Sequence, residues 1–528
     1  MTLPSIDKET YSSFTLHSAV VMVKGKNGNG IERKRTTSDA RDGVEYNRKV
    51  RKLQDEAAEI EKKAEEDETK KIEEKKDGEE DFADEFIPDP DCNPDIPRQV
   101  TFSDISAAAF NIKKGISKTP CTKSLQLSNK YGVELYFKKE YMQVTGSFKE
   151  RGARFALSRL TAEEKKNGVI AASAGNHALA LCYHGNLMGV AVTVVMPVFA
   201  PLMKITMCRS YGATVLLKGN NIGKAKDYAM HISREKKLKY INGYDAPDIL
   251  AGQGTIGLEI LEQVSDADAV LVPVGGGGMI AGVAVALKTL KPGILVYGIE
   301  AETCPSFTRA YEAGHVITEM AGSTLADGLA VPTVGCNSLA TARGLIDKMI
   351  TVCEESIALS ILRLLELEKA VVEGAGGVCL AAILSDKVPE LRGKKVVAIL
   401  SGGNIDTTVL GRAIERGLAV DGRLIRIEVV VSDRPGGIAE LSTRIAQAGG
   451  SIKDIFHERA WISTDVFSVR VKVVAETRDK EHVLELEKTL KERYTDFFHW
   501  DTMVVHYNRQ IEIEPSIEDI QIHFDIEN

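Results

Sequence analysis

The hydrophobic pattern from about residue 103 to residue 415 alternates short β-branched runs with longer amphipathic stretches. Such an alternation predicts βα units around a mostly parallel sheet, that is, an α/β fold. Several predicted strands end in glycine or in a small polar residue. Ligands of open α/β sheets bind at the carboxyl ends of the strands, so we expect a functional site there. The predicted strands include residues 169–172, 192–196, 214–217, 269–274 and 396–400.

The pattern changes at about residue 424 and predicts a second, smaller domain from 424 to 507. The expected order is a strand, a helix, two strands, a helix and a last strand, which is the ferredoxin-like βαββαβ order. Glycines in Pro435-Gly436-Gly437 and in Gly449-Gly450 predict two of the turns. Residues 508–528 form an acidic tail. The predicted elements are residues 424–431, 438–448, two strands within 451–473, 479–493 and 502–507.

The first 97 residues differ in composition from the rest of the chain. Of the 30 residues from 51 to 80, 21 are charged, so this stretch lacks the apolar side chains that a core requires. We expect a disordered extension or a frayed, solvated helix over 1–97. Four prolines between 88 and 97 then indicate where the folded part begins, which places the larger domain at 98–420.

The composition argues against several classes of function. The 528 residues carry 67 basic and 75 acidic side chains, a net charge of −8, so nucleic acid is not the expected main partner. No apolar run reaches the ~18 residues that a membrane span needs, and we expect no membrane partner. Eight cysteines stand singly, and the N-terminus lacks a secretory cleavage pattern. These features predict a cytoplasmic protein, with import into an organelle left open.

The segment Gly275-Gly276-Gly277-Gly278-Met279 follows a predicted strand and opens a predicted helix. Backbone N–H groups and the helix dipole converge there, which favours an anion and most naturally a phosphate. No Lys-Ser/Thr pair follows, so the segment is not a Walker-type nucleotide loop. Gly276-x-Gly278-x-x-Ala281, with Glu300 ending the next strand, also fits a dinucleotide fingerprint. The glycines alone therefore leave an NAD-dependent oxidoreductase open.

Two further polar segments end predicted strands, Ser173-Ala174-Gly175-Asn176-His177 and Ser401-Gly402-Gly403-Asn404. A third segment contains Lys149 beside Phe148. A lysine forms a Schiff base only when its amine is neutral, and burial or nearby cations lower its pKa enough for that. A lysine, a phosphate site and an asparagine together are the parts that hold pyridoxal phosphate.

These segments resemble the threonine dehydratases of the tryptophan-synthase-β-like, fold type II class. Residues 424–507, with Asp433-Arg434-Pro435-Gly436-Gly437, resemble an ACT domain, a module that senses small molecules. The resemblance implies a two-lobed α/β fold with parallel-rich sheets and a C-terminal ferredoxin-like βαββαβ domain. The matching blocks are residues 147–153, 173–177, Ala251-Gly252-Gln253-Gly254-Thr255, 275–278 and 401–404.

The resemblance implies a role for each matching residue. Lys149 would hold the cofactor as a Schiff base and then act as the base for the substrate Cα proton. Phe148 would pack on the pyridine ring, Asn176 would bond its 3-hydroxyl, and Ser401 would face its nitrogen. The phosphate would be bound by the backbone of Gly275, Gly276, Gly277, Gly278 and Met279. The substrate carboxylate would be bound by the loop of Ser173, Ala174, Gly175 and His177.

The implied reaction converts L-threonine to 2-oxobutanoate and L-serine to pyruvate, each with release of ammonia. The main alternative is serine racemisation on the same scaffold. Racemases of this family carry a second serine where this chain has Ala174, and proton transfer on two faces needs a group on each face, so we favour dehydration. Glu300 matches the carboxylate of the family's cation site, but Ser306 stands where racemases have an aspartate. A mono- or divalent cation therefore stays an open expectation.

For the C-terminal domain the resemblance implies an amino-acid or nucleotide effector at the interface of a homo-oligomer. Asp433, Gly436 and Gly437 would be the effector contacts. Two alternatives remain at this point: a dimerisation domain without a ligand, and a catalytically silent amino-acid sensor in which only residues 424–507 bind a ligand.

Overall fold

The computed structural model describes residues 87–460, 466–494 and 498–500. They belong to one of the two units into which the chain divides, Phe86–Asn528. The predicted N-terminal extension up to residue 86 and the predicted acidic tail 508–528 lie outside the described residues.

Two parallel-rich sheets form the larger, N-terminal region. One sheet has the strand order β1-β2-β10-β7-β8-β9, in which only β1 is antiparallel to its neighbour. The other has the order β5-β4-β3-β6 and is parallel throughout. These strands confirm the predicted parallel-rich α/β fold. Their bounds are β1 Cys121–Lys123, β2 Glu134–Lys139, β3 Val169–Ala172, β4 Val192–Met196, β5 Thr214–Leu217, β6 Lys239–Tyr240, β7 Ala269–Pro273, β8 Leu295–Ala301, β9 Lys348–Val352 and β10 Lys395–Leu400.

Helices cover both faces of these sheets, so the central strands β7 and β10 are apolar at nearly every position and buried along almost their whole length. The helices are α1 Phe102–Ile112, α2 Leu125–Tyr131, α3 Lys149–Ser158, α4 Ala162–Asn167, α5 Asn176–Met188, α6 Leu202–Ser210, α7 Ile222–Lys236, α8 Pro247–Gln263, α9 Gly278–Leu290, α10 Ser306–Ala313, α11 Cys336–Ala342, α12 Glu354–Leu367, α13 Gly374–Leu384 and α14 Thr407–Val420.

Helix α8 lies between α3 and α9 and contacts both through glycines. A Cβ atom on Gly252 would lie 2.6 Å from the Cα atom of Gly152 in α3. A Cβ atom on Gly254 would lie 2.8 Å from the carbonyl oxygen of Gly282 in α9. Since no side chain fits between these backbones, the glycines of the segment 251–255 serve close helix packing.

Arg151 of α3 belongs to a buried network of ion pairs. The Arg151 guanidinium bonds the carboxylate of Glu140 at 2.7 and 2.8 Å and that of Glu259 at 2.7 and 2.9 Å. The Lys138 ammonium bonds the same Glu259 at 2.6 Å. Arg151 and Glu140 are fully buried, and the pKa of the Glu140 carboxyl is lowered below its usual value because Arg151 stabilises its charge against the cost of burial.

The C-terminal region folds as an antiparallel sheet with the order β12-β13-β11-β14. Alternate residues of β11 and β13 are buried beneath two helices, as expected for a sheet with one covered face. This confirms the predicted βαββαβ order. The predicted strand at 502–507 lies outside the described residues, and the fourth strand is the earlier β14. The elements are β11 Leu424–Ser432, α15 Gly437–Gln447, β12 Ser451–Glu458, β13 Ser468–Glu476, α16 Lys480–Lys491 and β14 Phe498–Trp500.

Residues 87–97 pack against the larger region, although the sequence places them in the extension. Ile87 contacts the apolar cluster around β3 and β6, and the Asp89 side chain is buried. Asp89 and Asn93 also accept hydrogen bonds from backbone N–H groups two residues later. Such local turns order a proline-rich acidic segment without an apolar pattern, so the folded part begins before the predicted boundary.

The last two features of the fold concern disulfide bonds and membrane-spanning helices. All eight cysteines are free thiols. Among the described residues, no helix is both long enough and apolar enough to cross a bilayer.

Candidate active site

The segments singled out in the sequence meet at the carboxyl ends of β3, β7 and β10. Ser147 and Gly402 form an antiparallel β-bridge. The backbone N–H of Phe148 donates to the carbonyl oxygen of Ser401 at 3.0 Å, which joins the lysine segment to the segment after β10. Asn176 begins α5 after β3, and a Cβ atom on Gly402 would lie 3.2 Å from its Nδ2 atom. These polar segments therefore line one crevice.

Lys149 is the first residue of α3. Its Nζ atom donates to the carbonyl oxygen of Gly243 at 2.6 Å and lies 5.2 Å from the centre of the Phe148 ring. Burial lowers the pKa of the Lys149 amine to about 8, because the ammonium loses its hydration, while the charge of Glu373 opposes this shift. A substantial fraction of this amine is therefore neutral near physiological pH, as Schiff-base chemistry requires.

The tetraglycine segment leads from β7 into α9. Gly277 has a φ of 93°, which glycine adopts without strain. A Cβ atom would lie 2.3 Å from Cδ2 of Tyr244 at Gly276, and 2.2 Å from the Tyr244 carbonyl oxygen at Gly278. Because the first N–H groups of a helix have no partner within it, the start of α9 offers donors to an anion. The phosphate site expected at Gly275 to Met279 stays a prediction, which this helix start supports.

Both polar atoms of the Asn176 side-chain amide form hydrogen bonds. Its Nδ2 donates to Glu373 Oε1 at 2.8 Å, and its Oδ1 accepts from Asn404 Nδ2 at 2.9 Å. Burial raises the pKa of the Glu373 carboxyl to about 7, and Asp327 adds to the shift. Since a carboxylate only accepts hydrogen bonds, Glu373 fixes which face of the amide is the donor. The bond from Asn176 to the ring's 3-hydroxyl, which would use the second Nδ2 proton, stays a prediction.

The loop after β3 begins with Ser173, whose Oγ accepts from the N–H groups of Gly175 at 3.4 Å and Ala178 at 3.3 Å. A Cβ atom on Gly175 would meet nothing within 4 Å, so open space adjoins the loop here. Ala174 is half-buried against the neighbouring apolar cluster. The predicted substrate loop thus has half-buried backbone with open space at Gly175 beside a hydrogen-bonded serine, and its role stays a prediction.

The His177 side chain is buried, and its place in the predicted substrate loop stays a prediction. Its Nε2 faces the carbonyl oxygen of Ile241 at 3.2 Å, and burial lowers the ring's pKa to about 3, so the ring is neutral with its proton on Nε2. Its buried Nδ1 has no partner among the described residues. Nδ1 of the neutral ring is therefore an acceptor, so the ring has no free N–H to donate to a substrate carboxylate.

Glu300 is the last residue but one of β8, which runs one residue further than predicted, and both of its carboxylate oxygens accept hydrogen bonds. They accept from the N–H groups of Phe307 at 2.8 Å and Thr308 at 2.9 Å, at the start of α10. Ser306 donates instead to the carbonyl oxygen of Val331 at 2.6 Å. Within the described ranges, no three His, Cys, Asp or Glu side chains are grouped as metal ligands. A cation at Glu300 remains a prediction.

The predicted effector residues lie in the turn between β11 and α15. Both carboxylate oxygens of Asp433 bond Arg459, at 2.7 and 2.9 Å. Gly436 has a φ of 103°, and a Cβ atom there would meet nothing within 4 Å. At Gly437 a Cβ atom would overlap the carbonyl oxygen of Ser432. The turn thus requires its glycines and carries an exposed ion pair.

Four residues of the crevice were not predicted as site residues. Asn404 carried a weak signal, because it belongs to the glycine-bearing segment 401–404 after a predicted strand, and Glu373 belongs to a second glycine-bearing segment, 373–376. Gly243 and Tyr244 carried none. They act through a carbonyl oxygen and through ring packing, which no residue pattern records.

Comparisons with known proteins agree with this geometry. The family model of pyridoxal-phosphate dependent enzymes matches residues 112–402. An L-threonine ammonia-lyase from Thermotoga maritima is 41% identical over 391 residues, 74% of this chain and 97% of that protein. Among solved structures, threonine deaminase isoform 2 from Solanum lycopersicum aligns with a TM-score of 0.57 at 34% identity, covering 63% of this chain and 93% of that one. Serine racemase from Dictyostelium discoideum aligns with a TM-score of 0.55 at 36% identity, covering 58% and 99%.

The fold and the crevice thus define a fold type II enzyme, and the chain belongs to the pyridoxal-phosphate dependent enzyme family. This answers the dinucleotide alternative for the glycine segment. The donor set fits the cofactor: Lys149 supplies an amine of lowered pKa, the start of α9 supplies N–H groups for a phosphate, and Asn176 supplies an amide proton. Phe148 and Ser401 lie beside the lysine, as a ring between these groups would require.

Proposed function

We propose that the protein dehydrates and deaminates L-threonine to 2-oxobutanoate and ammonia, and L-serine to pyruvate and ammonia. The observation that carries this proposal is the half-buried Lys149 side chain, whose amine bonds the Gly243 carbonyl oxygen and has a pKa of about 8 that suits a group alternating between amine and ammonium. The relatives named L-threonine ammonia-lyase and threonine deaminase support the choice of substrate.

The chain's own residues have separable tasks in this proposal. When bound, pyridoxal phosphate withdraws electrons from the amino acid attached to it. The Lys149 amine accepts the proton from the substrate Cα, and the Gly243 carbonyl oxygen, 2.6 Å from Nζ, orients it. The backbone of the loop 173–177 binds the substrate carboxylate, with the open space at Gly175 admitting it. Asn176 and the start of α9 orient the cofactor ring and phosphate.

The test is product analysis of the full-length protein supplied with pyridoxal phosphate. We expect 2-oxobutanoate from L-threonine and pyruvate from L-serine, and neither from Lys149→Ala. Borohydride reduction followed by peptide mapping is expected to label Lys149. Labelling at Lys149 without release of either 2-oxo acid would refute the lyase proposal. Absence of both the label and the 2-oxo acids, with intact amino-acid binding, would favour the silent sensor.

Serine racemisation is the second candidate, because a serine racemase is among the structural neighbours at 36% identity. Ala174 provides no acid or base on its side of the crevice. Chiral analysis of recovered serine is therefore expected to find far less D-serine than pyruvate. Ala174→Ser is expected to increase the ratio of D-serine to pyruvate, and an unchanged ratio in this variant would contradict the role given to position 174.

We also propose that residues 424–507 are an ACT domain that regulates the lyase in a cytoplasmic homo-oligomer. The βαββαβ order and the glycine turn at 436–437 support this assignment. An amino acid or a nucleotide would bind near Asp433, and coupling of this kind typically amounts to ~1–3 kcal/mol.

The regulatory proposal is tested with a panel of amino acids and adenine nucleotides. We expect one of them to change the dependence of rate on threonine concentration by several fold. A chain that ends at Gly422 is expected to retain cofactor uptake and to lose the response. A response that survives this truncation would refute the assignment of the effector site, and light scattering of the full chain tests the oligomer.

A further inference from the structure

The segment of residues 87–98, here called the strap, reaches the larger region ahead of α1. The Asp91 carboxylate bonds the Lys239 ammonium in β6 at 2.6 Å. The buried Asn337 side chain bonds the strap twice, donating to the carbonyl oxygen of Asp91 at 2.7 Å and accepting from the N–H of Arg98 at 2.6 Å. The strap is thus bonded to β6 through Lys239 and to α11 through Asn337.

Asp89 of the strap contacts that loop directly. The side chain of Asn242 is buried, and its Nδ2 donates to Asp89 Oδ2 at 3.3 Å. Its Oδ1 accepts from the N–H groups of Tyr244 and Asp245, each at 3.1 Å. A carboxylate only accepts hydrogen bonds, so Asp89 holds the NH₂ side of the amide toward itself. The amide oxygen is thereby left facing the loop, whose turn it closes.

The loop 242–245 in turn contacts both ends of the cofactor site. The Gly243 carbonyl oxygen accepts from Lys149 Nζ at 2.6 Å. The Tyr244 ring occupies the space in which a Cβ atom of Gly276 would lie, at 2.3 Å from Cδ2. A change in the conformation of this loop would therefore displace the partner of the lysine amine and the support of the phosphate site together.

We propose that Asp89 is a positioning residue of the cofactor site, which acts through the Asn242 side chain on the loop 242–245. The strap is then a part of the catalytic region and not the end of a linker. This inference rests on the cofactor of the family and is independent of the choice between threonine and serine. Asp91, through Lys239 and Asn337, holds the strap in place for this contact.

The test measures how tightly the full-length, cofactor-free protein binds pyridoxal phosphate. The protein is titrated with the cofactor, and binding is followed by the visible absorbance. In Asp89→Ala the buried Asn242 NH₂ group loses its acceptor, and we expect the dissociation constant to rise at least ~10-fold. Asp95→Ala, an exposed carboxylate on the same strap, is the matched control and is expected to bind as the wild type does. A dissociation constant unchanged in Asp89→Ala would overturn the proposal.

A pair of reciprocal variants separates positioning from simple loss of stability. Asn242→Asp keeps the acceptor for the loop but sets two carboxylates against each other, so cofactor binding should weaken. In the double variant Asn242→Asp with Asp89→Asn, residue 89 becomes the donor and residue 242 the acceptor. The dissociation constant for pyridoxal phosphate is then expected to return to within ~3-fold of the wild type. Failure of the double variant to recover, while its urea midpoint without cofactor matches the wild type, would also overturn the proposal.

These outcomes remain distinct from failure of the function proposed above. Wild-type protein that binds the cofactor but releases no 2-oxo acid would refute the lyase activity and leave the Asp89 comparison valid.

Discussion

The ionisation of Lys149 provides a direct test of the site, independent of any substrate. The Lys149 side chain is half-buried, and desolvation of its amine lowers the pKa from 10.5 to about 8. The perturbation to apply is pH, and the quantity to follow is the neutral fraction of this one amine in the cofactor-free protein.

The size of the effect follows from the two pKa values. At pH 7 an amine of pKa 10.5 is about 0.03% neutral, whereas one of pKa about 8 is about 10% neutral. Burial therefore raises the amount of reactive amine about 300-fold at this pH. The sign is fixed, because the neutral form gains as pH rises through about 8 and is nearly complete by pH 9.

The assay is competitive labelling with trace acetic anhydride, with a small free amine as the internal standard. After digestion, mass spectrometry gives the acetylation of Lys149 relative to that standard at each pH. We expect the Lys149 curve to have its midpoint near pH 8. A midpoint near the ordinary lysine value would show that water reaches the amine and would refute the desolvation argument.

Glu373 supplies the matched variant, since its charge opposes the lowered pKa of Lys149. Its own carboxyl has a pKa of about 7, so it is ionised over most of the Lys149 transition. Glu373→Gln removes that charge and should move the Lys149 midpoint to lower pH, since the ammonium loses a stabilising neighbour. A move to higher pH would mean that Glu373 acts on the lysine by changing the packing and not by its charge.

Two further predictions concern packing around the site. Gly276→Ala places a methyl group 2.3 Å from a ring atom of Tyr244 and should weaken pyridoxal phosphate binding at least ~10-fold in an absorbance titration. Gly293→Ala is the control and should bind as the wild type does, because a Cβ atom there meets nothing within 4 Å. Equal affinities of the two variants would contradict the packing argument. Arg151→Met leaves Glu140 buried without its main partner and should lower the free energy of unfolding in urea by about 3–5 kcal/mol. The exposed ion-pair residue Arg392, changed to Met, should cost less than about 1 kcal/mol, and a similar loss in both would exclude a special role for burial.

The fold could be predicted from the sequence where periodicity and turn residues agreed. The strands 169–172, 192–196 and 214–217 are found at their predicted positions, because short apolar runs between turn residues have few other uses in an α/β protein. The strap could not be predicted in this way. Its order comes from two distant asparagines, because Asn242 donates to the Asp89 carboxylate and Asn337 donates to the Asp91 carbonyl oxygen. Prolines with acidic residues are equally typical of a linker.

The site could be predicted only where a residue type itself carries the chemistry. Lys149, Asn176 and the tetraglycine segment are unusual enough in combination to indicate a cofactor. His177 was predicted to lie in the substrate loop, and its hydrogen-bonding role depends on which ring nitrogen holds the proton. The Ile241 carbonyl oxygen decides this, because it can only accept a hydrogen bond and therefore places the proton on Nε2. Ile241 directly follows β6 and is 64 positions from His177 in the chain. Contacts made by a backbone carbonyl leave no mark on the residue pattern.

The glycines of 251–255 show how a segment without reactive groups belongs to the same site. Lys149 begins α3 and the phosphate donors begin α9, so a cofactor bound at both needs these two helix starts at a fixed separation. Both helices pack on α8 at glycine contacts, Gly152 with Gly252 and Gly254 with Gly282, where backbone meets backbone. A contact between backbones cannot relax by a change of rotamer, in contrast to one between long side chains. The distance between amine and anion site is therefore set by residues that touch neither.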